Sequence, residues 1–297
     1  GAAWSDAGLC AAFEAAFASD RIAAFGGAIV VNRILDVATA EKINAVYFEV
    51  VAAPDYEPAA LDILKSKKNL RIFKLPGLAQ LDKLVGQPYL DLKSLADGGI
   101  VAQFSFRNRI LSAGDFLPAQ ATDKAGTTVV ARTPTRQEAE DLLFAWAVEA
   151  GVTSNSVIFV KNGATVAIGT GEQDRVGVVE LTIFKAKTKY ADSLAFAAHK
   201  LSLYELTQKA AADPEAAASL ADIKARTEAS MGGLAGSVVV SDGFFPFRDG
   251  VDLCIGAGVT AIAQPGGSIR DVEVIAACNE ATPQVAMVFT GQRSFRH

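Results

Sequence analysis

The sequence predicts an α/β protein with a largely parallel sheet. Three observations carry this. The last fifth of the chain alternates, with SVVVSDGFF, TAIAQPG and QVAMVFTG as strands and RDGVDLCIGAGV and SIRDVEVIAACNEA as helices between them. Residues 134–152, PTRQEAEDLLFAWAVEAGV, have the clearest helical spacing. Asn162-Gly163 sits between two apolar runs, a hairpin signal. The 297 residues are 51% hydrophobic and 21% charged, enough for a sizeable core in about two domains.

In chain order, Ser5 is expected to cap a helix through SDAGLCAAFEAAFASD. AFGGAIVVNR reads as a glycine turn into a strand. A helix from TAEKINAVY leads to a strand at FEVVAAP, and EPAALDILKSKK is a short helix before the strand NLRIFKLP. GGIVAQFSF and TTVVART are further strands. In 134–152, Pro134 takes the first turn, Glu138 and Glu140 oppose the positive helix end, and Gly151 ends the helix. From Arg175 to Ser230 the chain is rich in Ala, Lys and Glu and mostly helical, broken at Pro214.

Composition excludes several classes. The net charge is −5 and no basic run stands out, which argues against a nucleic-acid partner while leaving room for a small anion. No apolar run reaches the ~18–20 residues of a membrane span. LLFAWAVEAGV is short and carries Glu149, so it reads as a buried helix. No signal-peptide pattern is present, and the Gly1-Ala2-Ala3 start without methionine fits a processed chain or part of a longer one. Cys10, Cys254 and Cys278 are widely spaced and read as free thiols of a reducing compartment, with a cytoplasmic location expected. His199 and His297 are the only histidines, so zinc is not expected.

The candidate chemistry lies in loops. SDGFFPFRDGVD, residues 241–252, puts Phe244, Phe245 and Phe247 beside an Arg–Asp pair. Those rings either plug the core under the loop or wall a pocket for a heterocycle. The strand-end position of this loop and of PGGSIRD, residues 265–271, favours a ligand. PGGSIRD could cradle an anion on backbone N–H groups, or could be a tight turn. Asn155 offers a donor and an acceptor, or closes a turn. Arg175 could grip a phosphate or carboxylate, or pair at the surface with Glu172 or Asp174. GQRSFRH follows directly on a buried strand and is expected to be tied down. His199 and Lys200 read as a solvated helix face.

The motifs AFGGAIVVNR, FEVVAAPDYEPAALDILKSKKNLRI, FAWAVEAGVTSNSVIFVKNG, VAIGTGEQDRV, SDGFFPFRDGVD, QPGGSIRD and FTGQRSFRH together resemble the transformylase domain of the AICAR transformylase/IMP cyclohydrolase family. The resemblance runs in order through nearly the whole chain. It implies two similar three-layer α/β halves with a cytidine-deaminase-like layout and no zinc, here residues 1–135 and 136–297. It implies transfer of a formyl group from 10-formyltetrahydrofolate to the 5-amino group of AICAR, in a homodimer whose active sites lie at the subunit interface. By the same resemblance, Asn155 orients the reacting groups, Gly26, Glu49, Arg175, Phe244 and Arg293 bind AICAR, and Phe25, Asp249, Gly250 and Ser268 meet the folate. Gly250 stands where some members carry asparagine. Some members hold potassium, whose ligands match Ser154, Ser156 and Asp242. The family's Lys-His-x-Asn-Pro-x-Gly motif, with its base and oxyanion partner, aligns so that Gly1 is its final glycine. A catalytically impaired fragment that binds AICAR or folate is therefore the alternative.

Overall fold

The computed structural model describes residues 1–296, apart from the Asp82 side chain, so His297 lies outside the described residues. The first 74 residues build a small parallel layer. Helices α1 (Leu9–Ser19) and α2 (Arg21–Ala24) lead into β1 (Ala28–Val30), followed by α3 (Val37–Asn44), β2 (Val50–Ala53), α4 (Pro58–Lys65) and β3 (Arg71–Lys74). The strands lie in the order β1-β2-β3, all parallel. Leu35, Ile43, Val51, Ala53 and Leu64 form the core, with Phe13 and Phe17 of α1 packed against it. The first helix starts at Leu9 rather than at Ser5. The Ser5 hydroxyl accepts instead from the Ala7 N–H, the local turn that short polar side chains favour, and Gly8 at φ 104° then redirects the chain.

Two ribbons and an edge strand follow. They are β4 (Leu90–Ser94) with β5 (Ile100–Phe104), β6 (Leu117–Pro118), and β7 (Gln120–Asp123) with β8 (Gly126–Val129). In the first ribbon Leu90 faces Phe104, Leu92 faces Ala102 and Ser94 faces Ile100. The period of two thus gathers the apolar residues on one face. Leu90, Leu92, Ile100 and Phe104 are all exposed in the single chain.

The rest of the chain is a three-layer unit. Its elements are α5 (Arg136–Glu149), β9 (Val157–Lys161), β10 (Ala164–Gly169), α6 (Arg175–His199), α7 (Leu203–Ala210), α8 (Pro214–Ala229), β11 (Val238–Ser241), α9 (Asp249–Gly256), β12 (Ala261–Gln264), α10 (Asp271–Glu280) and β13 (Ala286–Phe289). The sheet order is β10-β9-β11-β12-β13-β6. Alternate residues supply two cores. Ile158, Val160, Val238 and Val240 meet Leu142, Ala145 and Trp146 of α5. Val157, Phe159, Val239, Ile262 and Met287 meet α6, α9 and α10.

The expected parallel pairing holds for β11-β12-β13, but the sheet is mixed. The Asn162-Gly163 turn makes β9 and β10 an antiparallel pair, and β9 also runs antiparallel to β11. Both turn residues have positive φ, 52° and 73°, as a two-residue hairpin of this hand requires. Pro134 lies before the helix and not in its first turn. Thr135 is the N-cap and forms a capping box with Glu138. Pro214 likewise opens α8 behind the Asp213 cap, so the helical break precedes it.

Glu138 also holds Arg132 in a bidentate pair, at 2.9 and 2.8 Å. Burial raises its pKa, but the Arg132 bonds and the Thr135 N–H outweigh this and bring it down to about 2. A depressed folded pKa stabilises above the unfolded value and is lost as pH falls through the folded one. Urea unfolding of Glu138→Gln should therefore show on the order of 2–3 kcal/mol less stability at pH 7. The gap to wild type should close between pH ~4.5 and ~2; a gap independent of pH would refute the assignment.

Candidate functional site

The loops leaving the carboxyl ends of β11 and β12 meet the 153–156 loop and the C-terminal residues. Backbone bonds knit them together. Ser154 N–H donates to Arg296 O at 2.8 Å, Ser294 N–H to Asp242 O at 2.9 Å, and Asp242 N–H to Ser156 O at 3.3 Å. Arg296 N–H donates to the Ser154 hydroxyl at 3.0 Å. The C-terminal motif is thus tied down, as expected.

Arg175 is at the centre. The Asp174 cap starts α6 at this residue and turns its side chain inward. Its Nη1 donates to Asp242 Oδ1 at 2.5 Å, to Ser241 Oγ at 2.8 Å and to Ser156 O at 3.0 Å. Nη2 donates to Asn155 Oδ1 at 3.1 Å. The surface pair with Glu172 or Asp174 is not what forms: the Arg175 and Asp242 side chains are 7% and 0% exposed. Burying both charges is tolerable because they pair directly and both Nη groups of Arg175 find acceptors. Asn155 Nδ2 donates to Gln173 O at 3.0 Å, so both ends of its amide are held. The Ser154–Asn155 peptide is cis.

Behind this pair sits Glu149, fully buried, accepting from Ser156 Oγ at 2.6 Å. Burial pushes its carboxyl up to about 8, opposed by the Ser156 hydroxyl, reinforced by the charge of Asp242 and opposed by that of Arg175. Glu149 Oε2 and Asp242 Oδ2 are both buried without a hydrogen-bond partner. The sequence reading passed over Glu149 as a site residue. Its signal was the spacing 142, 145, 146, 149, which sets a carboxylate on the buried face of α5.

The three phenylalanines of the 241–252 loop divide. Phe245 is a fully buried core plug. Phe244 is half-buried with the Arg293 guanidinium 5.1 Å from its ring centroid. Phe247 is exposed, with Arg270 at 4.9 Å. Asp249 is exposed at the start of α9 and accepts from the Gly250 N–H. A Cβ at Gly250 would come within 2.9 Å of the Phe245 ring, so the glycine goes with that ring's packing. The N–H groups that would make PGGSIRD an anion cradle are engaged from within. The N–H groups of Gly267 and Ser268 donate to Asp271 Oδ2 at 2.7 and 3.1 Å, because a carboxylate four residues on reaches back to them first.

Phe25, Gly26 and Glu49 form a second group. Gly26 N–H donates to Tyr47 O at 3.0 Å, Glu49 N–H to Gly27 O at 3.1 Å, and the Phe25 and Tyr47 rings lie 5.2 Å apart. Glu49 and Phe25 are exposed. Among the described residues, no hydrogen bond or ion pair joins this group to Asn155, Phe244 or Arg293. A large cleft of about 970 Å³ between α1, β1 and α6 includes neither Gly26 nor Glu49 in its wall.

A model of the AICARFT/IMPCHase bienzyme family matches residues 1–185. Among curated proteins, the chain is 36% identical over 297 residues to the bifunctional purine biosynthesis protein PurH of Magnetococcus marinus, covering 100% of this chain and 46% of that protein. It is 41% identical over 289 residues to PurH of Cereibacter sphaeroides, covering 97% and 45%. It is 38% identical over 291 residues to PurH of Chloroflexus aurantiacus, covering 98% and 45%. The chain spans about half the length of the curated relatives it matches.

Asp242→Asn should cost ~3–5 kcal/mol in urea unfolding, since it strands the buried Arg175 charge. Arg175→Met combined with Asp242→Asn should recover much of that loss. A single variant as stable as wild type would show that the pair is not a buried charge pair in solution.

Proposed function

The chain belongs to the AICARFT/IMPCHase bienzyme family, and on that premise we propose that it transfers the formyl group of 10-formyltetrahydrofolate to the 5-amino group of AICAR. The product is formyl-AICAR, in purine synthesis. The observation that carries this reading is the whole-chain match to curated relatives, together with Asn155, Asp242, Phe244 and Arg293 converging at one end of the large sheet.

In this reaction the amine nitrogen bonds to the formyl carbon, the bond from that carbon to the folate nitrogen breaks, and one proton is lost from the amine while one is gained by the folate nitrogen. The amine is a poor nucleophile, so orientation matters. Asn155 is suited to it, with its amide held between Arg175 and Gln173 O while each end retains hydrogen-bonding capacity. Phe244 offers a ring face for the AICAR base, Arg293 meets the phosphate, and Arg175 meets the substrate through its Asn155-facing end. Gly26 presents backbone, and Glu49 accepts from ribose hydroxyls. Phe25, Asp249 and Ser268 meet the folate, with Asp249 accepting from the pterin edge. Gly250 contributes backbone only.

The separation of the Gly26–Glu49 group from the Asn155 group supports a homodimer in which each site takes residues from both copies. The exposed apolar face of the β4–β5 ribbon supports the same. The family layout, with cytidine-deaminase-like halves meeting near residue 135, is part of this reading, as is a cytoplasmic setting. No helix among the described residues is long and apolar enough to cross a membrane.

Potassium fits the residues present. Ser154, Ser156 and Asp242 would hold it. The unpartnered Oδ2 of Asp242 is a hard, anionic acceptor of the kind such an ion takes, and the unpartnered Oε2 of Glu149 lies in the same cluster. When bound, it would supply a fixed positive charge beside Asp242 and would favour the ionised form of Glu149.

Calorimetry should show AICAR binding to this protein, and formyl transfer should be followed by release of tetrahydrofolate. Asn155→Ala should lower the transfer rate ~10²–10³-fold, with a much smaller change in AICAR affinity. Absence of AICAR binding to the wild type at millimolar concentration would overturn the reading.

A further inference from the structure

Residues Phe106, Arg107, Arg109, Gln292 and Arg293 line a cleft of about 570 Å³. None of them is acidic. Among the described residues no carboxylate pairs with any of the three arginines. Three guanidiniums at one cleft repel one another, and an anion placed among them removes that cost.

The arginines are held in place by a network that spends none of their outer nitrogens. Asn108, between Arg107 and Arg109, accepts at its Oδ1 from Trp146 Nε1 at 2.8 Å, from Ile110 N–H at 2.9 Å and from Gln292 Nε2 at 3.1 Å. Gln292 is buried, and its Oε1 accepts from the Arg109 N–H at 3.3 Å and from Arg109 Nε at 3.2 Å. Arg107 Nε donates to Gly86 O at 3.2 Å. Arg293 stands over Phe244 and Phe295, 5.1 and 5.7 Å from their centroids. Each Nε bond or ring contact orients a guanidinium plane. The Nη ends, which match phosphate oxygens in pairs, are left over.

We propose that Arg107, Arg109 and Arg293 form a single clamp for a dianionic phosphate monoester, so that Arg107 and Arg109 are further substrate-binding residues. This rests on the formyl-transfer reading, in which Arg293 meets the phosphate of AICAR. The clamp fixes the nucleotide by its phosphate, while Phe244, under the same Arg293, takes the base. Discrimination between a nucleotide and its nucleoside then resides in residues 107–109 and 292–293, brought together across the chain by the Asn108–Gln292 bond.

The test uses Arg107→Ala, Arg109→Ala and the double variant, leaving Asn108 and Gln292 intact. Thermal midpoints equal to wild type establish that the exposed substitutions fold. Three probes are titrated by calorimetry: AICAR, the corresponding nucleoside without phosphate, and inorganic phosphate. The expected result is a loss of AICAR affinity of about ten- to a hundredfold per arginine, with nucleoside affinity unchanged and phosphate binding abolished in the double variant. AICAR binding at wild-type strength in the double variant overturns the clamp while leaving formyl transfer standing. Phosphate binding that depends on both arginines in a protein that binds no AICAR keeps the clamp and removes the formyl-transfer reading. A wild type that binds neither phosphate nor AICAR overturns both.

Discussion

The buried Arg175–Asp242 pair is the constraint on which the rest of the site depends. Removing a guanidinium from water is tolerated only if its N–H groups are met, and here both Nη groups are met by four residues on two chain segments. Ser156 lies before β9, Ser241 at the end of β11, Asp242 opens the aromatic loop, and Asn155 completes the set. The pair therefore sets the path of the loops as much as it stores charge. Gly243 shows how tightly: a Cβ there would lie 2.7 Å from both Arg175 Nη2 and the Phe295 ring. The Ser-Asp-Gly run before the phenylalanines is what lets the guanidinium and the C-terminal segment approach the same backbone.

From that starting point the aromatic loop has little freedom. Phe245 turns down into the core between the sheet and the α9–α10 layer, where its backbone N–H reaches Gln264. Its neighbours are left on the other side of the chain, one beneath Arg293 and one beneath Arg270. Of the two roles weighed for this loop, Phe245 takes that of core plug, while Phe244 and Phe247 each keep a ring beneath an arginine, the arrangement on which the proposed pocket wall rests. A loop anchored by one buried aromatic presents the adjacent ones with little further ordering cost.

Much of the fold was legible because its signals are local. The strand–helix alternation after residue 237 and the Asn162-Gly163 hairpin need only neighbouring residues to be read. The pairing of Leu117–Pro118 with β13 could not be read, since it joins segments about 170 residues apart and spans two residues. The same divide runs through the site. Asn155, Asp242 and Phe244 stand in motifs, whereas Glu149 reads as one polar residue in an apolar helix until β9 and β11 close over it. The glycine loop at 265–271 left two readings open because its N–H groups suit an anion equally well from outside or from Asp271, and only the folded backbone decides between them. Arg107 and Arg109 were silent because nothing in sequence ties them to Arg293.

Each edge of the large sheet is partly blocked. On one side β6 closes it with Pro118, which has no N–H to offer a further strand. On the other, residues 2–4 lie along β10, with Ala3 bridged to Ala164 and the Trp4 N–H bonded to Gly163 O. Strand addition, the usual first step towards fibrils, is hindered at both edges of this sheet. The layer richest in β-branched residues is thereby biased against edge-to-edge pairing, and self-association is steered to side-chain faces, which can be matched to one partner and refused to others.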